Sequence, residues 1–302
     1  MAEPATEARP LRDAPSRAIL RGGWRVLRLI LIAYLVVLLV ISWLQTQLIF
    51  PGQASRGRPE TRVDPPTGTE LVRLTTSEGD RIVALFGPAL GPDGRPAPDA
   101  ASRPTFLYFY GNGSSVSGSL GIFQGFRRLG VNVLVPEYVG YGMSEGSAGE
   151  PGCYATAEAA YRHLLDRPDV DPGRILAVGW SLGGAVAIDL ASRREVSGLI
   201  VLSTFTGMAE MAGLQYPFLP TSWLLRHRFE SERKIRGIRV PTLVVHGSLD
   251  DLIPPAMAGR LASACAGPAT QFAIPGAGHN DIFEVGGPRL FEAFRTFLGG
   301  LP

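Results

Sequence analysis

Cysteine and histidine are scarce in this 302-residue chain, and neither charge is in large excess. Two cysteines and four histidines cannot build a disulfide framework and leave little for a zinc site. Cys153 and Cys265 fall in predicted helices, and we interpret them as two buried thiols rather than a bridge. Basic residues exceed acidic ones by only 29 − 27 = +2. No nucleic-acid partner is therefore expected, because such a partner requires many uncompensated cations along one groove.

The composition is that of a folded domain. Hydrophobic residues make up 45% and charged residues 19% of the chain, which excludes intrinsic disorder. Gly 37 and Pro 25 are high counts, as in folds with many tight junctions between strands and loops.

One apolar run lies near the N-terminus, at residues 29–44, and it carries no charge. Extension to residues 26–48 gives the roughly 20 residues that a helix needs to cross a bilayer core. Trp24 and Trp43 bracket the run, as interfacial anchors do. The segment before it is rich in arginine: Arg9, Arg12, Arg17, Arg21, Arg25 and Arg28. The positive-inside rule then predicts a single-pass membrane anchor with a cytoplasmic N-terminus and the rest of the protein on the opposite side.

Two other interpretations of this run remain. A cleaved signal peptide is disfavoured because the run exceeds a typical signal core, and residues 42–47 offer no cleavage site of small residues. A buried core helix is disfavoured because the run leaves it no polar face. We predict an uncleaved anchor.

The residue patterning predicts three segments. Residues 1–50 are the tail and anchor, residues 51–70 are a Pro/Gly-rich linker, and residues 71–302 are a single domain. Short apolar runs there lack alternation, which is typical of strands buried on both faces. Strands are predicted at residues 71–76, 81–86, 105–110, 131–135, 175–178, 199–202, 241–246 and 271–274, and helices at 118–129, 153–165, 182–193, 256–264 and 289–298. This alternation predicts an α/β fold with a mainly parallel sheet and helices on both faces.

The pattern G-x-S-x-G occurs twice, at residues 142–146 and 179–183. A nucleophile elbow needs a strand directly before the serine and a helix directly after it. Ser181 has that context, whereas Ser144 lies in a loop followed by Gly and Pro. Ser181 is therefore the candidate nucleophile.

A serine hydroxyl needs a base, and the base needs an orienting acid. In chain order the motif requires serine, then acid, then histidine. His279 lies in a Gly-rich loop between the last strand and the last helix, whereas His246 ends a buried strand and is interpreted as a core histidine bonded to backbone. We prefer Asp250 as the acid, because Asp251 can equally cap the following turn.

An oxyanion hole completes such a site. One donor is expected to be the backbone N–H of Leu182, at a helix N-terminus whose dipole favours negative charge. The second is expected to be the backbone N–H of Asn112, in the small-residue loop 111–115 that follows a central strand. The alternative is a plain Gly/Asn turn.

Taken in order, these motifs resemble the α/β-hydrolase superfamily, and within it the membrane-anchored branch of prolyl-oligopeptidase-like and serine-aminopeptidase-like serine hydrolases. The resemblance covers residues 71–298. It rests on YGNG at 110–113, EYVGYGMS at 137–144, GWSLGG at 179–184, HGSLDDLIP at 246–254 and GH at 278–279. Tyr110 stands where the family usually has histidine and Glu137 where it has aspartate, and both departures bear on substrate fit rather than on the reaction.

The expected activity is hydrolysis of a carboxylic ester, with a lipid or a thioester as candidate substrates, through Ser181, His279 and Asp250, with no metal or organic cofactor. Tyr110 and Trp180 are expected to contact the substrate. A short cap at residues 205–239 carries many apolar residues, which either receive an acyl chain or pack at the sheet edge. The alternatives are a peptidase or amidase with the same triad, and an inactive membrane-tethered binding module. The oligomeric state stays open.

Overall fold

A computed structural model describes residues 17–301, with side chains from residue 21 onward. Arg9 and Arg12, on which part of the predicted charge asymmetry rests, lie outside the described residues. The boundary between two compact units falls after Gln45.

The first helix, α1 (Arg17–Ile49), contains the predicted apolar run. Its stretch Arg21–Ile49 is, among residues 17–301, the one helix long and apolar enough to cross a membrane. None of its apolar window is buried, which argues against a core helix. Length and composition of this kind fit a membrane span and a signal sequence alike.

The second unit is built on an eight-stranded sheet in the order β1-β2-β4-β3-β5-β6-β7-β8. Its strands are β1 (Glu70–Thr75), β2 (Arg81–Gly87), β3 (Thr105–Phe109), β4 (Asn132–Pro136), β5 (Ile175–Trp180), β6 (Gly198–Leu202), β7 (Thr242–Gly247) and β8 (Ala269–Ile274). β1 and β2 pair antiparallel, as does β2 with β4, and every other pair is parallel. All residues of β3, β4, β6 and β7 are buried, which confirms the prediction of strands covered on both faces.

Helices cover both faces of the sheet. They are α2 (Leu120–Leu129), α3 (Glu150–Leu165), α4 (Leu182–Arg193), α5 (Met208–Gln215), α6 (Thr221–Leu224), α7 (Ser231–Ile235), α8 (Ala256–Ala264) and α9 (Ile282–Gly299). α2 and α9 contact each other in one layer, while α3, α4, α7 and α8 form a connected second layer. Helix α9 starts before the predicted residue 289 because a helical turn precedes the break at Gly287, where φ is 40°. Cys153 and Cys265 are both free thiols.

Residues 51–70, predicted to be a linker, contain two 3-10 turns, and the first of them contacts the loop after β4. The backbone N–H of Gly142 donates to Ser55 Oγ over 2.9 Å, and Arg56 Nη1 donates to the carbonyl of Gly146 over 2.7 Å. This segment is therefore fixed to the domain. The carboxyl ends of the parallel strands lie along one edge of the sheet, where the loops with the candidate residues meet.

Candidate active site

Ser181 occupies a strained turn between β5 and α4. Its φ of 55° and ψ of −118° place a non-glycine residue in a sparsely populated region. The turn is fixed from both sides: the Ser181 N–H donates to the carbonyl of Leu202 over 2.9 Å, and its carbonyl accepts from Thr204 Oγ1 over 2.8 Å. Neighbouring β6 thus holds the serine at the carboxyl edge of the sheet.

The two glycines of this motif are required by close backbone contacts. A Cβ at Gly179 would lie 2.1 Å from the carbonyl oxygen of Gly183, and one at Gly183 would lie 2.0 Å from the carbonyl oxygen of Phe109. Real Cβ atoms do not approach backbone so closely, so any side chain would push the helix away from the strand.

We expect Gly183→Ala to destabilise the domain by about 3 kcal/mol or more, because backbone on both sides must move to admit the methyl group. The matched control is Gly121→Ala in α2, where nothing lies within 4 Å of the added Cβ. That change is expected to stabilise by about 0.5–1 kcal/mol, since alanine favours the helix. Urea unfolding of the full chain measures both, and equal midpoints for the two variants would contradict the packing argument.

Ser181, His279 and Asp250 form one hydrogen-bonded chain. Ser181 Oγ lies 2.9 Å from His279 Nε2, and His279 Nδ1 lies 2.9 Å from Asp250 Oδ2. The three residues are only 8%, 6% and 6% exposed. Asp281 Oδ1 accepts from the N–H of Gly278 over 2.7 Å and so holds the histidine loop at the start of α9. The structure therefore brings together the three side chains that the sequence places almost a hundred residues apart.

Asp250 is the carboxylate at this site, whereas Asp251 is exposed. Asp250 Oδ1 accepts from the N–H of Leu252 over 3.1 Å and from the N–H of Ile253 over 2.8 Å. Burial opposes ionisation of this group, but hydrogen bonds from two histidines and the backbone outweigh it and hold the pKa of Asp250 well below its usual range. The acid is thus fully ionised at neutral pH.

His246 is the second histidine on this carboxylate. Its Nε2 donates to the carbonyl of Ile253 over 2.9 Å, the backbone bond expected of a core histidine, and lies 3.2 Å from Asp250 Oδ2. The contact of His246 with Asp250 was not predicted from the sequence. A histidine four residues before the aspartate was the signal available for it.

The loop after β3 lies beside the serine. A Cβ at Gly111 would sit 2.9 Å from Cε3 of the Trp180 ring and 3.3 Å from Ser181 Cβ, so a side chain there would force the ring or the loop to shift. The Asn112 side chain is held at both ends: its Oδ1 accepts from the Tyr141 hydroxyl over 2.9 Å, and its Nδ2 donates to the carbonyl of Ile49. The position of the loop fits the predicted role of the Asn112 backbone N–H.

Leu182 is the first residue of α4, directly after Ser181. A backbone N–H at the first position of a helix has no intrahelical acceptor and points toward solvent or a ligand. The helix dipole adds positive potential there. These properties match those of an oxyanion donor.

Tyr110 does not contact the cleft, contrary to the expectation that it binds substrate. It is fully buried, its ring centroid lies 4.7 Å from that of Tyr138, and its hydroxyl donates to Glu137 Oε1 over 2.5 Å. Glu137 Oε1 also accepts from the N–H of Val116 over 3.0 Å, which ties down the loop after β3. Burial raises the pKa of Glu137, although the Tyr110 hydrogen bond opposes the shift. Tyr110 thus stabilises the loop after β3 from the interior of the domain, through Glu137.

Trp180, the second expected substrate contact, lies at the site. Its ring centroid is 5.9 Å from that of His279, and the residue is half-buried.

The serine of the other G-x-S-x-G match is placed differently. Ser144 is buried, its Oγ donates to the carbonyl of Glu137 over 3.1 Å and accepts from the N–H of Val83 over 3.2 Å.

Comparison with known proteins identifies the family. A model described as "Alpha/beta hydrolase family" matches residues 111–232. The human alpha/beta hydrolase domain-containing protein 17B is 30% identical over 230 residues, which cover 76% of this chain and 75% of that protein. The chain belongs to the alpha/beta hydrolase family. An uncharacterized protein of Mycobacterium tuberculosis is 35% identical over 233 residues, covering 77% of this alpha/beta hydrolase and 80% of the relative.

The fold comparison agrees. The esterase of Pyrococcus furiosus superposes with a TM-score of 0.62 at 17% identity, over 77% of this alpha/beta hydrolase and 90% of the esterase. At 17% identity this likeness shows that the two proteins share a fold. Within residues 17–301 of this alpha/beta hydrolase, no group of three or more His, Cys, Asp or Glu side chains is placed to hold a metal ion.

Proposed function

We propose that this alpha/beta hydrolase is a serine hydrolase that cleaves carboxylic esters through an acyl-enzyme. The observation that carries the proposal is the continuous chain of hydrogen bonds from Ser181 Oγ through the His279 ring to Asp250. In the first step Ser181 Oγ attacks the acyl carbonyl while His279 Nε2 accepts the hydroxyl proton. His279 then gives this proton to the departing alcohol, and an acyl-serine remains.

In the second step water attacks the acyl-serine, and His279 takes its proton and returns it to Ser181 Oγ as the acid leaves. Asp250 keeps the imidazole in the tautomer whose Nε2 accepts and stabilises the imidazolium that forms. The backbone N–H groups of Leu182 and Asn112 hold the negative oxygen in both steps. Trp180 is proposed to border the acyl group, because its ring lies beside that of His279.

The activity is tested first with a fluorophosphonate probe, which reacts with activated serines. We expect the full chain in detergent to be labelled, Ser181→Ala to stay unlabelled, and Ser144→Ala to be labelled as strongly as the parent protein. Ser144 is the matched control, because it lies in the same G-x-S-x-G pattern but its hydroxyl is bonded within a loop. An unlabelled parent protein would favour an inactive binding module instead.

The choice between ester and amide substrates needs a separate panel. The fold neighbour titled as an esterase supports the ester, yet the same triad also cleaves amides. We expect p-nitrophenyl esters of graded chain length to be hydrolysed much faster than aminoacyl anilides. The reverse order would make the protein a peptidase or amidase.

We further propose that residues 1–50 are a tail and uncleaved anchor, with the N-terminus in the cytoplasm and residues 71–302 across the membrane. The length and apolar composition of Arg21–Ile49 support the anchor, and the arginines before it support the orientation. Membrane association that resists carbonate extraction would support the anchor, and an intact N-terminus would show that it is not cleaved. Protease access to the domain from the outer side of the membrane would support the orientation.

A further inference from the structure

The cap carries a concentration of exposed apolar side chains, which we name the cap ridge: Leu214, Tyr216, Phe218 and Trp223. These residues are 57%, 50%, 64% and 90% exposed. Beyond α1, eight large apolar side chains of the described residues are exposed, and four of them belong to this one stretch of ten residues. Such a concentration marks a surface that binds something apolar.

The cap is fixed to the segment that directly follows the apolar run of α1. His227, four residues after Trp223, donates from Nε2 to Thr46 Oγ1 over 3.1 Å, and its ring packs edge-on against Phe50 with centroids 5.0 Å apart. His227 Nδ1 accepts from the backbone N–H of Glu150 over 3.3 Å, which leaves Nε2 as the donor. Thr46 follows Trp43 by three residues, where the apolar run gives way to polar residues. His227 therefore contacts the chain just after the apolar run.

Only a short piece of chain joins this contact to the ridge. Trp223 precedes His227 by four residues, so at most about 14 Å of chain separates them. The headgroup layer on each side of a bilayer is about 5–7 Å thick beyond the hydrocarbon core. Tryptophan and tyrosine favour this layer. Arg226 and Arg228, which follow Trp223, are exposed and supply the positive charge that attracts lipid phosphates.

The candidate active site is attached to this same segment. The Asn112 side chain, in the proposed oxyanion loop, donates to the carbonyl of Ile49. In the loop of the proposed acid, Leu249 and Leu252 are also exposed, at 67% and 46%. The proposed oxyanion loop and the cap thus both contact residues 46–50, which follow the apolar run.

We propose that the cap ridge inserts into the bilayer interface beside the end of the anchor, so that the active site takes acyl substrates resident in the bilayer. The occupant of the ridge is the lipid interface itself. The inference rests on the proposed anchoring and, for its substrate class, on the proposed hydrolase activity.

Depth-dependent quenching of Trp223 tests the insertion. The full chain is placed in lipid nanodiscs, and the Trp223 signal is the fluorescence lost in Trp223→Phe, which retains the other three tryptophans. We expect lipids brominated near the top of their acyl chains to quench this signal and aqueous iodide to leave it largely unchanged. Iodide quenching without bromine quenching would overturn the proposal. Protection from both quenchers would also overturn it, because a second copy of the chain would then cover the ridge.

Kinetics of Trp223→Ser test the substrate class. We expect turnover of a long-chain ester embedded in the nanodisc to fall about tenfold, since the lost apolar area weakens docking, while a soluble short-chain ester is unaffected. The matched control is Leu165→Ser, an exposed leucine at the end of α3, which should leave both rates unchanged. An equal loss on both esters would refute the substrate assignment. If the parent protein cleaves no ester at all, the proposed function fails, while the quenching result still decides insertion.

Discussion

Replacing Ser181 by alanine is expected to lower kcat for ester hydrolysis by about 10⁴–10⁶-fold, with little change in the stability of the domain. The loss is large because the acyl bond of the proposed mechanism forms on this hydroxyl. The hydroxyl removed is the one 2.9 Å from Nε2. The residual rate would come from oxyanion binding alone.

The measurement is steady-state hydrolysis of a p-nitrophenyl ester by the full chain, together with a thermal unfolding curve for each variant. Ser144→Ala is the control, because Ser144 is a buried serine in the same type of motif. A parent-like rate in Ser181→Ala would disprove the nucleophile assignment. Loss of activity in Ser144→Ala with an unchanged unfolding curve would indicate that Ser144, and not Ser181, is the nucleophile.

Asp250→Asn is expected to lower kcat by about 10⁴-fold, because an amide no longer selects the imidazole tautomer that accepts the serine proton. Oδ2 of Asp250 now accepts from His279 Nδ1 at 2.9 Å and lies 3.2 Å from His246 Nε2. An amide nitrogen at that place would face both rings as a donor. The control is Asp251→Asn on the exposed neighbouring aspartate, which should keep nearly full activity. Similar rates for the two variants would contradict the assignment of Asp250.

The same variant should change how stability depends on acid. The pKa of Asp250 is lower in the folded protein than in the unfolded chain, so the unfolded chain takes up the proton first. The stabilisation by this carboxylate is complete above the ordinary aspartate pKa of about 3.9 and is lost as the pH falls from there toward the folded value. Asp250→Asn should therefore flatten the decline of unfolding free energy below about pH 4. If the unfolding free energy of Asp250→Asn declined with falling pH as steeply as that of the parent protein, the hydrogen bonds to Asp250 would not stabilise the fold.

Most of the fold was predictable because its signals are local. Unalternating apolar runs mark strands that are covered on both faces, and the structure has β3 to β7 buried in this way. The candidate nucleophile was predicted from its immediate neighbours, since an elbow needs a strand before the serine, a helix after it and glycines on both sides. The start of α9 was misplaced because Gly287 and Pro288 resemble a helix boundary, although a helical turn precedes them.

The orientation of individual side chains was not predictable. Tyr110 directly follows the central strand β3 and precedes the proposed oxyanion loop, which is why the sequence predicted a substrate contact. A strand position alone does not tell which side of the loop the ring takes. Burial decided it, because the ring packs on Tyr138 and its hydroxyl satisfies Glu137. The role of His246 was hidden for the same reason, since its second contact depends on how the acid loop folds back over β7.

The sequence by itself determined the α/β class, the apolar helix, the elbow at Ser181 and the order of serine, acid and histidine, because each depends on residues close together in the chain. Only the tertiary structure decided which aspartate meets His279 and which aromatic residue lies beside its ring. Only there do residues between Thr46 and Phe50 contact both the cap and the loop after β3. Contacts of that kind join residues far apart in the chain, and their geometry exists only once the sheet has brought its loops to one edge.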